Sequence, residues 1–428
     1  MRAITGIAFV LGLGENGYGV LRSLARNGIP AWGFDREGNT FARYSRFCKR
    51  CKVQPFTSHD ESLCATLLSA GKHCGGKPFL FPTTDEYVCL LARHREHLAD
   101  RFFFHWISSD ALLTIVNKAH MNQICKQAGV LTPRTHVSHP NENVARHAAD
   151  FTFPCIIKPN RSFDSQFPQG RKNFIAHSPQ HLIDFYERNP GLNGETIWQE
   201  IIQGGDENIF QCTALIRQSG EVGAVFSTRK IRQYLPHYGS MCFGRSEGNP
   251  AVVSEAVKLL RFLKYRGLAS LEFKYQPTDG RLYFVEMNPR LPWYSALFAD
   301  AGVNLPHLAF LDLTKPIDIL PMDTYRQTDG VYWISVERDL RWFFQMRKER
   351  STSLINWLRS VARAHSFAWW EWRDPRPFLM ATLDLIVKSA IHKLAKSAVV
   401  YVRLGWSRLS RTVLGHIVPM VSHIRLRR

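Results

Sequence analysis

The chain alternates short apolar runs with amphipathic stretches, which is the pattern of an α/β protein. An apolar run over 6–13 leads through a glycine-rich turn into a helical pattern over 20–25. A second apolar run over 31–34 follows and is closed by Asp35. Strand, glycine turn, helix and strand in this order predict the opening of a doubly wound parallel sheet.

A further predicted strand over 78–81 ends at Pro82, and a helix is predicted to begin just beyond it. Thr84 and Asp85 are both suitable caps for that helix. Since ligands gather at strand ends in open α/β sheets, residues 83–86 are also candidates for a binding site. The sequence leaves both roles open.

The middle of the chain places charged residues at the ends of apolar strands. A helix is predicted over 119–127, and a strand over 155–159 carries Lys158 near its end. Burying an unpaired ammonium group is costly, so Lys158 is expected to face an anion. Downstream, an apolar strand end and a Gly-Gly turn are bracketed by Glu200 and Glu207.

Two short strands farther along predict a hairpin with acids on one side. The first, over 269–275, carries Glu272, and the second carries Glu286 and Asn288 up to a proline at 289. Period-2 geometry places Glu286 and Asn288 on the same face. Carboxylates that share a site repel each other unless cations lie between them, so the hairpin predicts a Mg²⁺ clamp. The alternative is a pair of ordinary surface glutamates on an edge hairpin.

Composition fits a globular protein large enough for two or three domains, and charge distinguishes its last quarter. The chain has 428 residues and a formal charge of +19. From Val331 onward, 18 Lys and Arg stand against 6 Asp and Glu, a net of +12. The nine cysteines lack paired zinc-binding spacings and are interpreted as reduced thiols. No apolar run reaches the eighteen residues that a membrane-spanning helix needs.

The first glycine turn also fits a different function. Gly12-x-Gly14-x-x-Gly17 with Asp35 downstream matches the dinucleotide-binding fingerprint of an oxidoreductase. The same glycines equally allow a helix to start close to a strand in a domain that binds no nucleotide. This fingerprint leaves the lysines and the Glu-x-Asn-Pro-Arg stretch at 286–290 unexplained.

Taken in order over residues 1–310, these features resemble the ATP-grasp superfamily, specifically the carboxylate-amine ligase type that includes D-aspartate ligase and D-alanine:D-alanine ligase. The residues that carry the resemblance are Lys118, Lys158, Glu200, Ile201, Gln203, Glu207, Lys230 or Arg232, Glu272, Glu286, Asn288 and Arg290.

The resemblance implies a role for each of these residues. Lys118 and Lys158 would hold the phosphates of ATP. The hinge after Glu200 would read adenine through the backbone of Ile201 and Gln203, and Glu207 would bind the ribose. The acidic hairpin would hold one or two Mg²⁺ ions. Arg290, with Lys230 or Arg232, would contact the transferred phosphoryl group. The phosphate lid expected over 160–173 holds only one glycine, so its identity stays open.

The same resemblance implies a domain order and a reaction. A doubly wound pre-ATP-grasp domain (1–112) would precede an ATP-grasp domain of two α+β subdomains (113–311), a helical segment (312–378) and a basic amphipathic tail (379–428). An acyl-phosphate would then react with an amine to give an amide. By resemblance to D-aspartate ligase, the substrates would be an amino acid and a cell-envelope or exopolysaccharide precursor. A non-catalytic ATP-binding scaffold is the second alternative, beside the oxidoreductase.

Partners and location follow from the tail and the resemblance. A basic amphipathic tail could lie on an anionic membrane or pack on the enzyme itself, and these alternatives stay open. The expected location is cytoplasmic, with peripheral contact at the inner face of the membrane if the tail binds lipid. No nucleic-acid motif is present, and a homodimer is one open oligomeric state.

Overall fold

The computed structural model describes residues 6–36, 40–55, 59–106, 109–160, 167, 173–236, 238–315 and 324–388. The chain divides into two compact units, Met1–Pro377 and Phe378–Arg428. The sheets described below all lie in the first unit. None of the nine cysteines forms a disulfide, as expected of reduced thiols.

The first sheet is parallel and carries apolar side chains on both faces. Its strands, in spatial order, are β3 (Cys48–Gln54), β2 (Ala31–Arg36), β1 (Ala8–Leu11) and β4 (Phe79–Pro82), and its helices are α1 (Glu15–Ala25), α2 (Asp60–Gly71), α3 (Asp85–Arg93) and α4 (Arg95–Leu98). The strand order reverses at β1, which confirms the predicted doubly wound arrangement. The carboxyl ends of β1 and β4 therefore flank the switch point.

The glycine turn after β1 lets the start of α1 pack closely against the end of that strand. Gly12 has φ +94°, and a Cβ at Gly17 would lie 2.0 Å from the Gly12 carbonyl oxygen. Asp35 accepts a hydrogen bond from the Leu13 amide at 2.6 Å and another from the Tyr87 hydroxyl at 2.7 Å. Asp35 thus fixes the turn itself, which supports the structural interpretation of the fingerprint over ribose binding.

The second sheet is small and antiparallel, with helices on one face. Its strands, in spatial order, are β5 (Thr135–Val137), β8 (Thr196–Glu200), β6 (Cys155–Pro159) and β7 (Phe174–Ala176), and the helices before and within it are α5 (Ser109–Val116), α6 (Lys118–Gln127), α7 (Val144–Ala149) and α8 (Pro179–Arg188). Ile157 and Trp198 pack against α7 and α8. Alternation sends Lys158 and Gln199 to the opposite face, which we call the cleft face.

The third sheet has seven strands and includes the acidic hairpin. In spatial order these are β13 (Arg281–Asn288), β12 (Gly267–Gln276), β9 (Ile209–Ile216), β10 (Val222–Tyr234), β11 (Ser240–Ser246), β14 (Tyr332–Ile334) and β15 (Ala364–Phe367). The predicted hairpin is confirmed as β12 and β13. The region 312–378, expected to be helical, also contributes β14 and β15. Because β14 is a three-residue apolar run, its periodicity could not distinguish strand from helix.

A shared core fixes the first sheet against the third. One face of the third sheet packs on α9 (Pro250–Phe262). The other face packs on α10 (Ala296–Asp300) and α11 (Leu305–Thr314) in a core that also contains α1 and β1. The switch point of the first sheet is thereby held at a fixed position relative to the hairpin.

Helices dominate the end of the described chain. In the first unit, α12 (Val336–Lys348) and α13 (Leu354–Val361) lie between β14 and β15 in sequence. The second unit is described only as far as Lys388, within a helix over 376–388 (α14), so the predicted tail beyond that point lies outside the described residues. Among the described residues, no helix is both long and apolar enough to cross a membrane.

Candidate active site

The acidic hairpin places its two carboxylates directly opposite each other. Glu272 pairs with Glu286 in the register of β12 and β13, and Ser270 pairs with Asn288. The Asn288 amide donates to Glu286 Oε1 at 3.2 Å, so both side chains share one face as predicted. Directly opposed like charges destabilise a strand pair unless a positive charge compensates them.

The two carboxyl groups differ in pKa. Burial raises the pKa of Glu272, and the nearby charge of Glu286 adds to the rise against the lowering effect of Lys230. Glu286 lies on the edge strand and is exposed. Loss of water on its protein side acts to raise its pKa, yet the charges of Lys230, Lys158 and Lys118 together bring that pKa below its ordinary value. Glu286 therefore lies at the centre of a cationic group.

Lys230 reaches the hairpin from β10, across β9. Its ammonium lies 2.7 Å from Glu272 Oε2, and both side chains are buried. The Gln211 amide on β9 donates to the same oxygen at 2.7 Å. Gln233 accepts from Lys230 Nζ at 3.1 Å, which fixes the ammonium in position.

Lys118 and Lys158 complete the cationic group. Lys118 Nζ donates to the Pro159 carbonyl at 3.0 Å, and Lys158 Nζ donates to Gln199 Oε1 at 3.0 Å. Burial lowers the pKa of Lys118 to about 8, although Glu286 acts against this shift. Burial lowers the pKa of Lys158 as well. A buried ammonium group gains most from an anion that arrives beside it.

A chain of amide and hydroxyl groups connects the elements that carry these two lysines. Gln199, which holds Lys158, donates through Nε2 to Thr135 Oγ1 at 3.1 Å. Asn122, one turn after Lys118 on α6, donates to the same oxygen at 3.1 Å. These contacts run along the cleft face of the small sheet and fix the positions of α6 and β6 relative to each other.

Arg290 is held by a residue of the first sheet's domain. Its guanidinium makes two hydrogen bonds to Asp85, at 2.8 and 3.1 Å, and one to Asn288 Oδ1 at 3.2 Å. Thr84 caps α3, because its hydroxyl accepts from the Tyr87 amide, and so the Asp85 carboxylate can bind Arg290. A paired guanidinium of this kind is fixed in direction.

The structure separates the two alternatives on β10. Lys230 faces the acids, whereas Arg232 binds both oxygens of Asp339 at 2.7 and 2.8 Å. The pairing of β10 with β11 shifts register between these positions, so simple alternation does not hold there. Arg232 also lies over the ring of Phe243, 4.0 Å from its centroid. The arginine thus belongs to the packing of α12, away from the acidic hairpin.

The predicted hinge follows the end of β8. Glu200 accepts from the Arg134 amide at 3.2 Å, and Ile201 is half-buried. Gln203 and Glu207 are exposed. Asp206 accepts from the Gln233 side chain at 2.9 Å, which ties this segment to Lys230.

A cleft of about 660 Å³ joins several of these residues. Its wall includes Asp85, Lys118, Gln199, Glu286 and Asn288. A second cleft, of about 680 Å³, borders Arg290 and is lined largely by apolar and aromatic side chains. Most of the predicted phosphate lid over 160–173 lies outside the described residues.

The residues present suit a hard divalent cation. Two opposed carboxylates and the Asn288 amide oxygen form an all-oxygen set, which Mg²⁺ prefers over sites with nitrogen or sulfur. Burial raises the pKa of Glu272, and a cation bound beside this carboxyl group would favour its charged form. The surrounding lysines and Arg290 complement a polyanion.

Sequence reasoning missed the polar residues that hold the charged ones. The sequence leaves the role of Asp85 open between a helix cap and a binding residue. It gives no signal for three glutamines that position the lysines and Glu272: Gln199, Gln211 and Gln233. The position of Asp85 at the end of β4, beside a switch point, was the only hint available. A glutamine inside a strand looks the same in sequence whether it faces solvent or a buried lysine.

The chain is similar in sequence to a protein-family model and to a ligase of known function. The family model for the carbamoyl-phosphate synthase L chain, ATP-binding domain, matches residues 245–309, which include the acidic hairpin. D-aspartate ligase of Enterococcus faecium is 24% identical over 355 residues, which are 78% of this chain and 83% of that protein.

Two solved structures share the fold. Biotin carboxylase of Campylobacter jejuni, solved as a β,γ-ATP complex, superposes with a TM-score of 0.60 at 15% identity, over 78% of this chain and 75% of that one. L-amino acid ligase of Bacillus licheniformis gives a TM-score of 0.54 at 15% identity, over 74% and 78% of the respective chains.

Proposed function

We propose that this chain, which belongs to the ATP-grasp superfamily and is an ATP-dependent ligase similar to D-aspartate ligase, joins a carboxylate to an amine through an acyl-phosphate. One observation carries the proposal. Glu272 and Glu286 face each other at the centre of three converging lysines, beside an open cleft whose wall includes Lys118, Glu286 and Asn288.

The residues divide into groups by what they would bind. Lys118 and Lys158 would contact the ATP phosphates, while Glu272, Glu286 and Asn288 would hold Mg²⁺. When bound, Mg²⁺ would neutralise charge on the β- and γ-phosphates. The hinge at Glu200, Ile201 and Gln203 and the carboxylate of Glu207 would bind adenine and ribose. The phosphate and metal roles rest on the cleft that Lys118, Glu286 and Asn288 line and on the lysines whose charges act on Glu286. The adenine and ribose roles rest on the resemblance to the superfamily.

The reaction would proceed in two steps. A substrate carboxylate oxygen attacks the γ-phosphorus of ATP, and ADP leaves. The amine nitrogen then attacks the acyl carbon of the acyl-phosphate, phosphate leaves, and the nitrogen loses a proton to give the amide. Lys230 and Arg290 are fixed cations that would stabilise the oxyanions of both steps. Asp85 would keep the Arg290 guanidinium aimed, because it binds that group in bidentate fashion.

An amino acid is the proposed class for at least one substrate. The names of D-aspartate ligase and L-amino acid ligase support this class, and the second cleft offers space beside Arg290 for the organic part of a substrate. A cell-envelope or exopolysaccharide precursor would be the other partner. A screen of ADP release against panels of amino acids and amines would identify the pair.

Nucleotide binding separates this proposal from a dinucleotide-binding oxidoreductase. Mg-ATP should raise the midpoint of thermal unfolding, because a ligand that binds only the folded state stabilises it. NAD at the same concentration should leave the midpoint unchanged. Stabilisation by NAD and none by Mg-ATP would exclude the ligase.

The metal assignment is tested by a single substitution. Glu286→Gln should abolish amide formation and ATP turnover while the protein stays folded, because the charge that compensates the cation is removed. Glu221→Gln, on an exposed carboxylate of the β9–β10 turn, is the matched control and should keep full activity. ADP release measures both variants; unchanged turnover in Glu286→Gln would remove the acidic hairpin from the mechanism.

A further inference from the structure

A cluster of two histidines and one glutamate lies on the helix-covered face of the small sheet, away from the cleft. It comprises His136 on β5, Glu142 in the following loop and His147 on α7, with one ligand atom from each lying within 4.8 Å of the others. His136 Nε2 and Glu142 Oε2 are 2.9 Å apart. The rings of His136 and His147 have centroids 4.7 Å apart.

Glu142 carries an unsatisfied atom. Its side chain is only 6% exposed, and its Oε1 is buried without a hydrogen-bond partner. A buried carboxylate oxygen without a partner is costly. The single contact from His136 serves the other oxygen, so the cluster has room for one more positive group. The unpaired Oε1 atom of Glu142 therefore points to a cation site. This observation is independent of the spacing of the three residues.

We propose that His136, Glu142 and His147 bind one divalent transition-metal ion of the Zn²⁺ class. Two imidazoles and one carboxylate are a donor set that Zn²⁺ accepts, whereas Mg²⁺ prefers oxygen alone. Ligand atoms about 2.0–2.2 Å from a tetrahedral Zn²⁺ lie about 3.4 Å from one another. In this structure His136 Nε2 and Glu142 Oε2 are 2.9 Å apart, and all three ligand atoms lie within 4.8 Å of one another. Small side-chain movements would bring them to the tetrahedral spacing. Three protein ligands leave a fourth position for water.

The site would act on the fold around the nucleotide and not on the reacting atoms. His136 packs against Trp198, with ring centroids 4.3 Å apart and the rings tilted by 33°, so it is held on the side opposite Lys158. The preceding residue, Thr135, accepts the hydrogen bond from Gln199 that positions Lys158. A bound ion would tie α7 to the edge strand β5 and thereby stiffen this sheet. The inference is independent of the proposed ligase reaction.

Metal titration of the full chain tests the site directly. Chelator-treated protein should bind one Zn²⁺ per chain in calorimetry, and Co²⁺ should give the visible absorption of a tetrahedral site. Mg²⁺ in excess should not compete. His147→Ala and Glu142→Gln should each weaken Zn²⁺ binding about 100-fold, since even the partners of metal ligands contribute 10–100-fold. His147 is exposed, so its variant should remain folded, which circular dichroism verifies.

His177→Ala is the matched control. His177, just before α8, and His181, on α8, form a stacked pair with centroids 5.9 Å apart, and they belong to no such cluster among the described residues. This control should bind Zn²⁺ like the parent chain. Glu286→Gln should also retain Zn²⁺, which separates this site from the proposed ATP site. The proposal is overturned by a parent chain that binds no stoichiometric Zn²⁺, or by a folded His147→Ala that binds it with unchanged affinity.

Discussion

At the scale of single residues, burial of the Lys118 ammonium group affects how this side chain would bind a phosphate. Its ammonium is largely removed from water beside Lys158, and burial lowers its pKa to about 8. An ordinary lysine has a pKa near 10.4, so Lys118 loses its charge within a pH range where the other lysines of the surface stay charged. A phosphate that binds beside Lys118 favours its charged form.

Nucleotide affinity should therefore fall as pH rises through about 8. Below that value Lys118 is protonated in the free protein, and above it each pH unit should weaken ADP binding by up to about tenfold, because binding must first restore the proton. Lys118→Arg should weaken this dependence, since arginine stays charged throughout this pH range. Calorimetric titration with ADP between pH 6.5 and 9.5 makes the comparison. A parent chain with constant affinity from pH 7 to 9.5 would contradict the assignment.

At the scale of elements, a buried ion pair connects β10 to the helices that follow β14. Asp339 on α12 is fully buried and accepts both hydrogen bonds of Arg232. Trp357 of α13 donates to the same carboxylate at 2.8 Å, and Arg232 lies over the ring of Trp342 on α12. One carboxylate thus holds two helices against the strand that also carries Lys230.

Asp339→Asn should destabilise the first unit strongly. It leaves the Arg232 guanidinium buried without its counter-charge, and breaking a buried pair from one side costs about 3–5 kcal/mol. Glu337→Gln on the same helix is the control, because its ion pair with Arg341 is exposed and contributes less than about 1 kcal/mol. Urea unfolding followed by tryptophan fluorescence measures both. Equal stability of the two variants would show that the pair contributes little.

At the scale of the whole molecule, positive charge is concentrated at the C-terminal end. Residues from Val331 onward carry a net charge of +12. Helix α14 exposes Leu379, Leu383 and Ile386, and α13 in the first unit exposes Leu354 and Ile355. Apolar side chains next to basic ones suit the interface of an anionic membrane, where both the hydrophobic and the electrostatic contributions are favourable.

The full chain should bind vesicles that contain anionic lipid. In flotation experiments it should rise with vesicles of phosphatidylcholine and phosphatidylserine, and less so with phosphatidylcholine alone. A chain that ends at Pro377 lacks the second unit and should stay at the bottom of the gradient. Added salt should weaken the interaction, since it screens the charges. Equal flotation of both chains would assign any membrane contact to the first unit.

The sequence by itself determined the parts of the fold that depend on near neighbours. Three of the four strands of the first sheet, the strand carrying Lys158 and the hairpin follow from periodicity and turn residues. The fourth strand, β3, is polar and mostly exposed, so no apolar pattern predicts it. The short turn sets the register of β12 and β13 as far as Phe273 opposite Phe284. The contacts next to this turn lie within some twenty residues and need no knowledge of the rest of the chain. A bulge between Phe273 and Glu272 then brings Glu272 opposite Glu286, and this step is not set by the turn.

Only the tertiary structure decided which charged groups meet across long separations. Arg290 and Asp85 are 205 positions apart, and Arg232 and Asp339 are 107 apart. An arginine at a strand end looks the same in sequence whether it faces a phosphate or an aspartate, so Lys230 and Arg232 could not be told apart by spacing. The cluster of His136, Glu142 and His147 was likewise invisible, because a loop and a helix must fold back on a strand before the three side chains meet. The local sequence pattern determines the helices and strands. The packing of distant helices and strands in a common core determines which charged side chains contact each other.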